Sequence, residues 1–114
     1  MSNAIAYIDS GVSLSDESKN LFAKIIKDEL SNFSEINKIV LFGSFVHSGR
    51  PSDIDIAIFQ NSDMDYLKLA MKYRKALRDL SKEIPLDVIP LRDGIGGIFL
   101  HEIDKGKVIY EKRD

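Results

Sequence analysis

The chain has 114 residues, 44% of them hydrophobic and 30% charged, an ordinary balance for a soluble globular domain that argues against disorder. With 16 Lys and Arg against 18 Asp and Glu the net charge is −2, so a general attraction to polyanions, and with it nucleic-acid binding, is not expected. Cysteine is absent, which excludes disulfides, thiolate metal sites and cysteine nucleophiles, fits a reducing cytoplasm, and leaves oxygen ligands for any metal.

No apolar run approaches the roughly 20 residues that span a bilayer. The leading MSNAIAYIDSG lacks a basic region followed by a long apolar stretch, so neither membrane residence nor secretion is expected, and the cytoplasm is the expected location. The first element is a helix over about 15–33, with Leu21, Phe22, Ile25, Ile26 and Leu30 at helical spacing and Ser15 or Asp16 available as N-cap. INKIVLF then places four apolar residues in a row, as in a strand covered on both faces, and Gly43-Ser44 ends it. DIDIAIF alternates, with Ile54, Ile56 and Ile58 on the core face and Asp53, Asp55 and Ala57 on the other.

A long helix over about 63–82 follows, with Tyr66, Leu69, Ala70, Tyr73, Leu77 and Leu80 on one stripe; the spacing assigns both tyrosines to the core and Lys72, Arg74, Lys75 and Arg78 to a solvated face. IPLDVIPL reads as a short strand stopped by Pro90 and interrupted by Asp87. GIGG then turns the chain into a helix over about 97–105, capped at Gly106, before a closing strand KVIY. His47 is expected in a solvated loop and His101 on a surface helix, too far apart in sequence to suggest a ligand pair. The order predicts an α/β or α+β fold, a small mixed sheet flanked by helices, as a single domain over 1–114.

Three aspartates occupy positions that a strand would ordinarily fill with apolar residues. Asp53 and Asp55 share one strand face about 6.5 Å apart along the backbone, which lets their carboxylates converge on one cation. An ionised carboxylate is costly to bury without compensation, and Asp87 repeats the anomaly in a second strand. Oxygen ligands of this kind suit magnesium or manganese, and three carboxylates can clamp two ions during phosphoryl chemistry. At Gly43-Ser44 a glycine allows close backbone approach to a phosphate, and a hydroxyl with neighbouring N–H groups can bind phosphate oxygens.

In its order of Gly-Ser, loop, Asp-X-Asp and later strand carboxylate, FGSFVHSGRPSDIDIAIF with PLDVIPL resembles the minimal nucleotidyltransferases of the polymerase-beta superfamily. The resemblance runs over about residues 20 to 110 and includes the closing GKVIYE. It implies the polymerase-beta-type nucleotidyltransferase fold, ATP as nucleotidyl donor, magnesium (or manganese) as cofactor, and release of pyrophosphate. Carried over by position, Asp53, Asp55 and Asp87 would be the catalytic and metal-binding residues, Asp87 helping to activate the acceptor hydroxyl. Gly43 and Ser44 would hold the β and γ phosphates. The chain departs from the family pattern in its loop: only eight residues separate Ser44 from Asp53, and Val46, His47 and Ser48 stand where an arginine and a glycine are usual. Arg50 is the candidate replacement for the basic phosphate contact.

A chain this short has no room for the extra domains with which larger relatives grip primer, tRNA or drug. The resemblance therefore implies an acceptor supplied by a partner, as in modules where a minimal nucleotidyltransferase antitoxin inactivates a HEPN ribonuclease toxin by transferring AMP to a tyrosine. Two alternatives stay open: a non-catalytic module that neutralises its partner by contact, and transfer to a small molecule in a pocket completed by homo-oligomerisation.

Overall fold

A computed structural model describes residues 14–92, 101 and 103–112. Helix α1, Asp16–Leu30, starts where the Ser15 hydroxyl accepts a hydrogen bond from the Ser18 amide at 3.1 Å, with Asp16 and Glu17 favourably placed in the first turn. Its Phe22, Ile26 and Leu30 are fully buried, each contributing about 1.5–3 kcal/mol by leaving water. Strand β1, Ile36–Phe42, follows, then a four-residue helix α2, Ser44–His47, in place of the simple turn the sequence suggests. Strand β2, Ile54–Gln60, lies antiparallel to β1, with Ile54, Ile56 and Ile58 fully buried against the helices.

The next strand, β3 (Leu86–Leu91), is parallel to β2, and a parallel pair requires a crossover, here built from helices α3 (Tyr66–Ala76) and α4 (Arg78–Ser81). Asp65 caps α3 by accepting from the Lys68 amide at 2.9 Å. The expected continuous helix divides at Leu77, whose amide is shared between the carbonyls of Tyr73 and Arg74, tightening the turn there. Strand β4, Lys107–Glu111, pairs antiparallel with the far side of β1, giving the order β3-β2-β1-β4. Gly106 precedes it where an added Cβ would collide with the Leu41 carbonyl. The GIGG turn and most of the expected helix over 97–105 lie outside the described residues, although His101, Ile103 and Asp104 are helical, with His101 exposed.

Two further sequence expectations are corrected. Tyr66 is exposed rather than core: it is the first residue of α3, and a helical side chain leans toward the N-terminus, past the part of the helix that covers the sheet. Pro90 does not stop β3 but sits inside it opposite Ile58; among the described residues β3 is an edge strand bonded to β2 alone, where a missing N–H can face outward at no cost to the ladder.

Tyr73 is core as expected, and Lys72 is tied down rather than simply solvated. Glu35, in the turn before β1, accepts hydrogen bonds from Lys72 Nζ at 2.8 Å and Tyr73 Oη at 2.9 Å, and the Lys72 ammonium stands 4.6 Å from the Phe33 ring centroid. Burial pushes the Glu35 pKa up, but the bonds from Lys72, its own backbone and Tyr73, with the Lys72 charge, outweigh it and leave the pKa below its ordinary value. A depressed carboxylate stabilises above its unfolded pKa and loses that contribution as pH falls through the lower folded value. Glu35→Gln should therefore cost about 1–2 kcal/mol in urea unfolding at neutral pH, and the gap from the parent should close in acid.

Candidate active site

The face of the sheet turned away from α1 and α3 carries the acidic residues. Phe42, Asp55 and Asp87 stand side by side in register on β1, β2 and β3, which sets the two acidic positions about 4.8 Å apart at the backbone. Further along that face Val40, Ala57, Leu91 and Ile103 close into a small apolar cluster. The acids lie at the end of the strands where Phe42, also a member of this cluster, pairs with Asp55: Asp53, just before β2, and Asp55 are half-buried and Asp87 is exposed.

Burial first, then the charges of Asp53 and Asp87, raise the Asp55 pKa above the usual aspartate range. The three aspartates singled out in the sequence are thus electrostatic neighbours, with Asp55 central. Among the described residues, no three His, Cys, Asp or Glu side chains lie close enough to share one ion as they stand. The donor chemistry nonetheless suits a hard divalent cation: the groups offer oxygen only, and the repulsion felt by Asp55 is what a cation would relieve.

Gly43 closes the same corner. Its φ of 76° and ψ of −153° occupy a region that side chains other than hydrogen rarely tolerate, and a Cβ there would collide with the Asp55 carboxylate. Ser44 is exposed at the start of α2; its carbonyl accepts from the Ser48 amide at 2.8 Å, while the Gly43 carbonyl accepts from Val46 at 3.1 Å. Arg50 is exposed on the loop between α2 and β2, its own amide donating to Ser48 Oγ at 3.0 Å. His47 ends α2 and is exposed.

Sequence reasoning missed how this turn is held from α1 and from Leu14 just before it. Lys19 Nζ donates to the Ser48 carbonyl at 2.6 Å, the Leu14 amide donates to the Gly49 carbonyl at 2.7 Å, and the Phe22 and Phe45 rings lie 6.1 Å apart. These contacts join residues about thirty positions apart through unremarkable side chains, and no local pattern announces them. A cavity of about 310 Å³, lined by residues that include Lys19, Leu41, Phe45 and Lys107, opens beside the same turn. It lies on the helix side of the sheet, since Leu41 pairs with Ile56 and not with the acidic positions.

This Gly-Ser turn, packed against an Asp-X-Asp strand with a third aspartate in register beside it, belongs to a mixed sheet with helices of the nucleotidyltransferase type. The family described as polymerase beta, nucleotidyltransferase matches residues 24–114, and the chain belongs to that family. Among solved structures, a toxin–antitoxin complex with AMP-PNP is similar at a TM-score of 0.53 and 25% identity, covering 83% of this chain and 74% of that one. A substituted MntA–HpeT toxin–antitoxin gives a TM-score of 0.53 and 25% identity over 83% of this chain and 73% of that one. A candidate nucleotidyltransferase from Sulfolobus solfataricus shares the fold at a TM-score of 0.52 and 17% identity, covering 98% and 91% of the two chains. Comparison with the curated proteins gives no match.

Proposed function

We propose that the chain is a magnesium-dependent nucleotidyltransferase that transfers AMP from ATP to a hydroxyl of a partner protein, acting as the antitoxin of a HEPN-type toxin. The observation that carries this reading is the register of Asp55 with Asp87 beside the Gly43 turn, in a member of the polymerase-beta nucleotidyltransferase family. The similarity to a toxin–antitoxin complex holding an ATP analogue supports both the nucleotide and the kind of partner.

In this reading Gly43 brings its backbone against the β and γ phosphates, the Ser44 hydroxyl binds a phosphate oxygen, and Arg50 supplies a basic contact from the loop. Asp53, Asp55 and Asp87 would hold magnesium, whose chemistry is to neutralise charge on the triphosphate and polarise the α-phosphoryl group. Asp87, the most exposed of the three, takes the proton of the acceptor hydroxyl. The acceptor oxygen bonds to the α-phosphorus while the bond from that phosphorus to pyrophosphate breaks. The acceptor comes from the partner, positioned in line by docking. Incubation with ATP, magnesium and the product of the adjacent gene should add the mass of AMP to that product in intact-protein mass spectrometry.

One observation favours a second reading, neutralisation by contact alone: the described carboxylates do not gather three to a single point. Neutralisation of the partner with no gain of mass would decide for it.

A further inference from the structure

Ser48, at the end of the Gly-Ser turn, is half-buried and bonded in three directions. Its amide donates to the Ser44 carbonyl at 2.8 Å, its hydroxyl accepts from the Arg50 amide at 3.0 Å, and its carbonyl accepts from Lys19 Nζ at 2.6 Å. The first two bonds run to Ser44 and Arg50, which in the proposed reading bind phosphate; the third runs to α1. A residue that need not touch a nucleotide therefore sets the spacing between two that would.

Lys19 is placed for that task. It stands half-buried in the first turns of α1, with its ammonium 5.9 Å from the Phe45 ring centroid, while Phe45 itself meets Phe22 of the same helix. The cavity of about 310 Å³ opens beside Lys19, Phe45 and Val46, so close packing does not by itself fix the turn on this side. What crosses to the helix side is directional: the Leu14 amide bonds the Gly49 carbonyl through main chain, and Lys19 bonds the neighbouring Ser48 carbonyl through its side chain. A hydrogen bond from an ammonium is roughly twice as strong as one between neutral groups. Gly43, at the other end of the turn, lies against the Asp55 carboxylate, so a turn released by Lys19 shifts relative to the acidic strand.

We propose that Lys19 is a positioning residue for nucleotide binding, which through Ser48 holds Ser44 and Arg50 at the separation a triphosphate requires without itself touching the nucleotide. The inference rests on the reading of Ser44 and Arg50 as phosphate contacts. Since the three aspartates stand on β2, β3 and the residues just before β2 rather than on the turn, ATP affinity and not turnover should carry the loss when Lys19 is changed.

Calorimetric titration of ATP with magnesium, beside KM and kcat for AMP transfer to the product of the adjacent gene, tests this on the full chain. Each variant is first shown to be folded by circular dichroism and is measured well below its melting temperature. Lys19→Met keeps the stem and loses the donor; it should raise Kd and KM for ATP about tenfold, with kcat within about threefold of the parent. Lys19→Arg, which can still donate to the Ser48 carbonyl, should recover most of that affinity. Combining Lys19→Met with Ser48→Ala, which removes the bond to the Arg50 amide, should cost less than the product of the two single losses, because both act through one network. A lysine in direct contact with phosphate would instead give the full product. Parental ATP affinity in Lys19→Met, a loss confined to kcat, an arginine that rescues nothing, or a full product in the double variant overturns the proposal and leaves the assigned function standing. A parent that binds no ATP overturns both.

Discussion

Asp55→Asn is expected to abolish nucleotidyl transfer while leaving the protein at least as stable as the parent. Asp55 is the carboxylate that the other two act upon: Asp53 and Asp87 both push its pKa up, in addition to burial. An amide keeps the shape and one oxygen but removes the charge, so a cation held by the three aspartates loses its central anionic ligand. The expected loss of activity is on the order of 10³-fold, comparable to removing a principal electrostatic stabiliser. Stability moves the other way, because a carboxylate with a raised folded pKa destabilises the fold once ionised and ceases to do so as pH falls through that value. Asp55 is half-buried and solvent still screens part of the repulsion, so the gain at neutral pH should be under about 1 kcal/mol, and it should shrink toward zero in acid. Thermal melts across pH, beside mass spectrometry of the partner, measure both effects. An Asp55→Asn protein that transfers AMP as fast as the parent would remove the carboxylates from the mechanism; one that still neutralises its partner without adding AMP would favour contact alone.

The second large effect is expected at Gly43. Alanine there faces two separate penalties, the backbone conformation and the collision of its methyl group with the Asp55 carboxylate. The conformation alone costs about 1–3 kcal/mol, which for a domain of this size lowers the melting temperature by several degrees for each kcal/mol. The collision can be relieved only by moving Asp55 or the turn, so nucleotide affinity should fall at the same time. Calorimetric titration of ATP with magnesium into Gly43→Ala, together with urea unfolding, tests the pair of effects. Wild-type stability with wild-type binding would show that neither the turn nor its approach to Asp55 matters.

Much of this was legible because strands and helices with opposite periods write their faces into the sequence. DIDIAIF announces both its core face and its acidic face, and the extent of β1 follows directly from INKIVLF. The polymerase-beta resemblance, carried by Gly43, Ser44 and the Asp-X-Asp pair, is the family to which the chain belongs. What escaped was whatever depends on neighbours distant in sequence. The division of the crossover helix at Leu77, the exposure of Tyr66 and the tolerance of Pro90 follow from where each residue meets the sheet, not from its own pattern. The register that sets Asp87 beside Asp55 is likewise a property of the parallel pairing of β2 with β3, which the sequence of either strand alone does not specify.

The two outer strands of the described sheet are built in a way that should resist fibrillar growth. Open strand edges are templates for another chain, and each rim of this sheet carries a device that blunts one. On one side Pro90 removes a donor from β3. On the other, β4 is bulged against β1 between the Ile39 and Val40 pairings and bears Lys107 and Glu111, which interrupt a flat apolar template. Concentrated solutions should accordingly stay free of thioflavin-positive, cross-β material, and replacing Pro90 by valine should erode that resistance first.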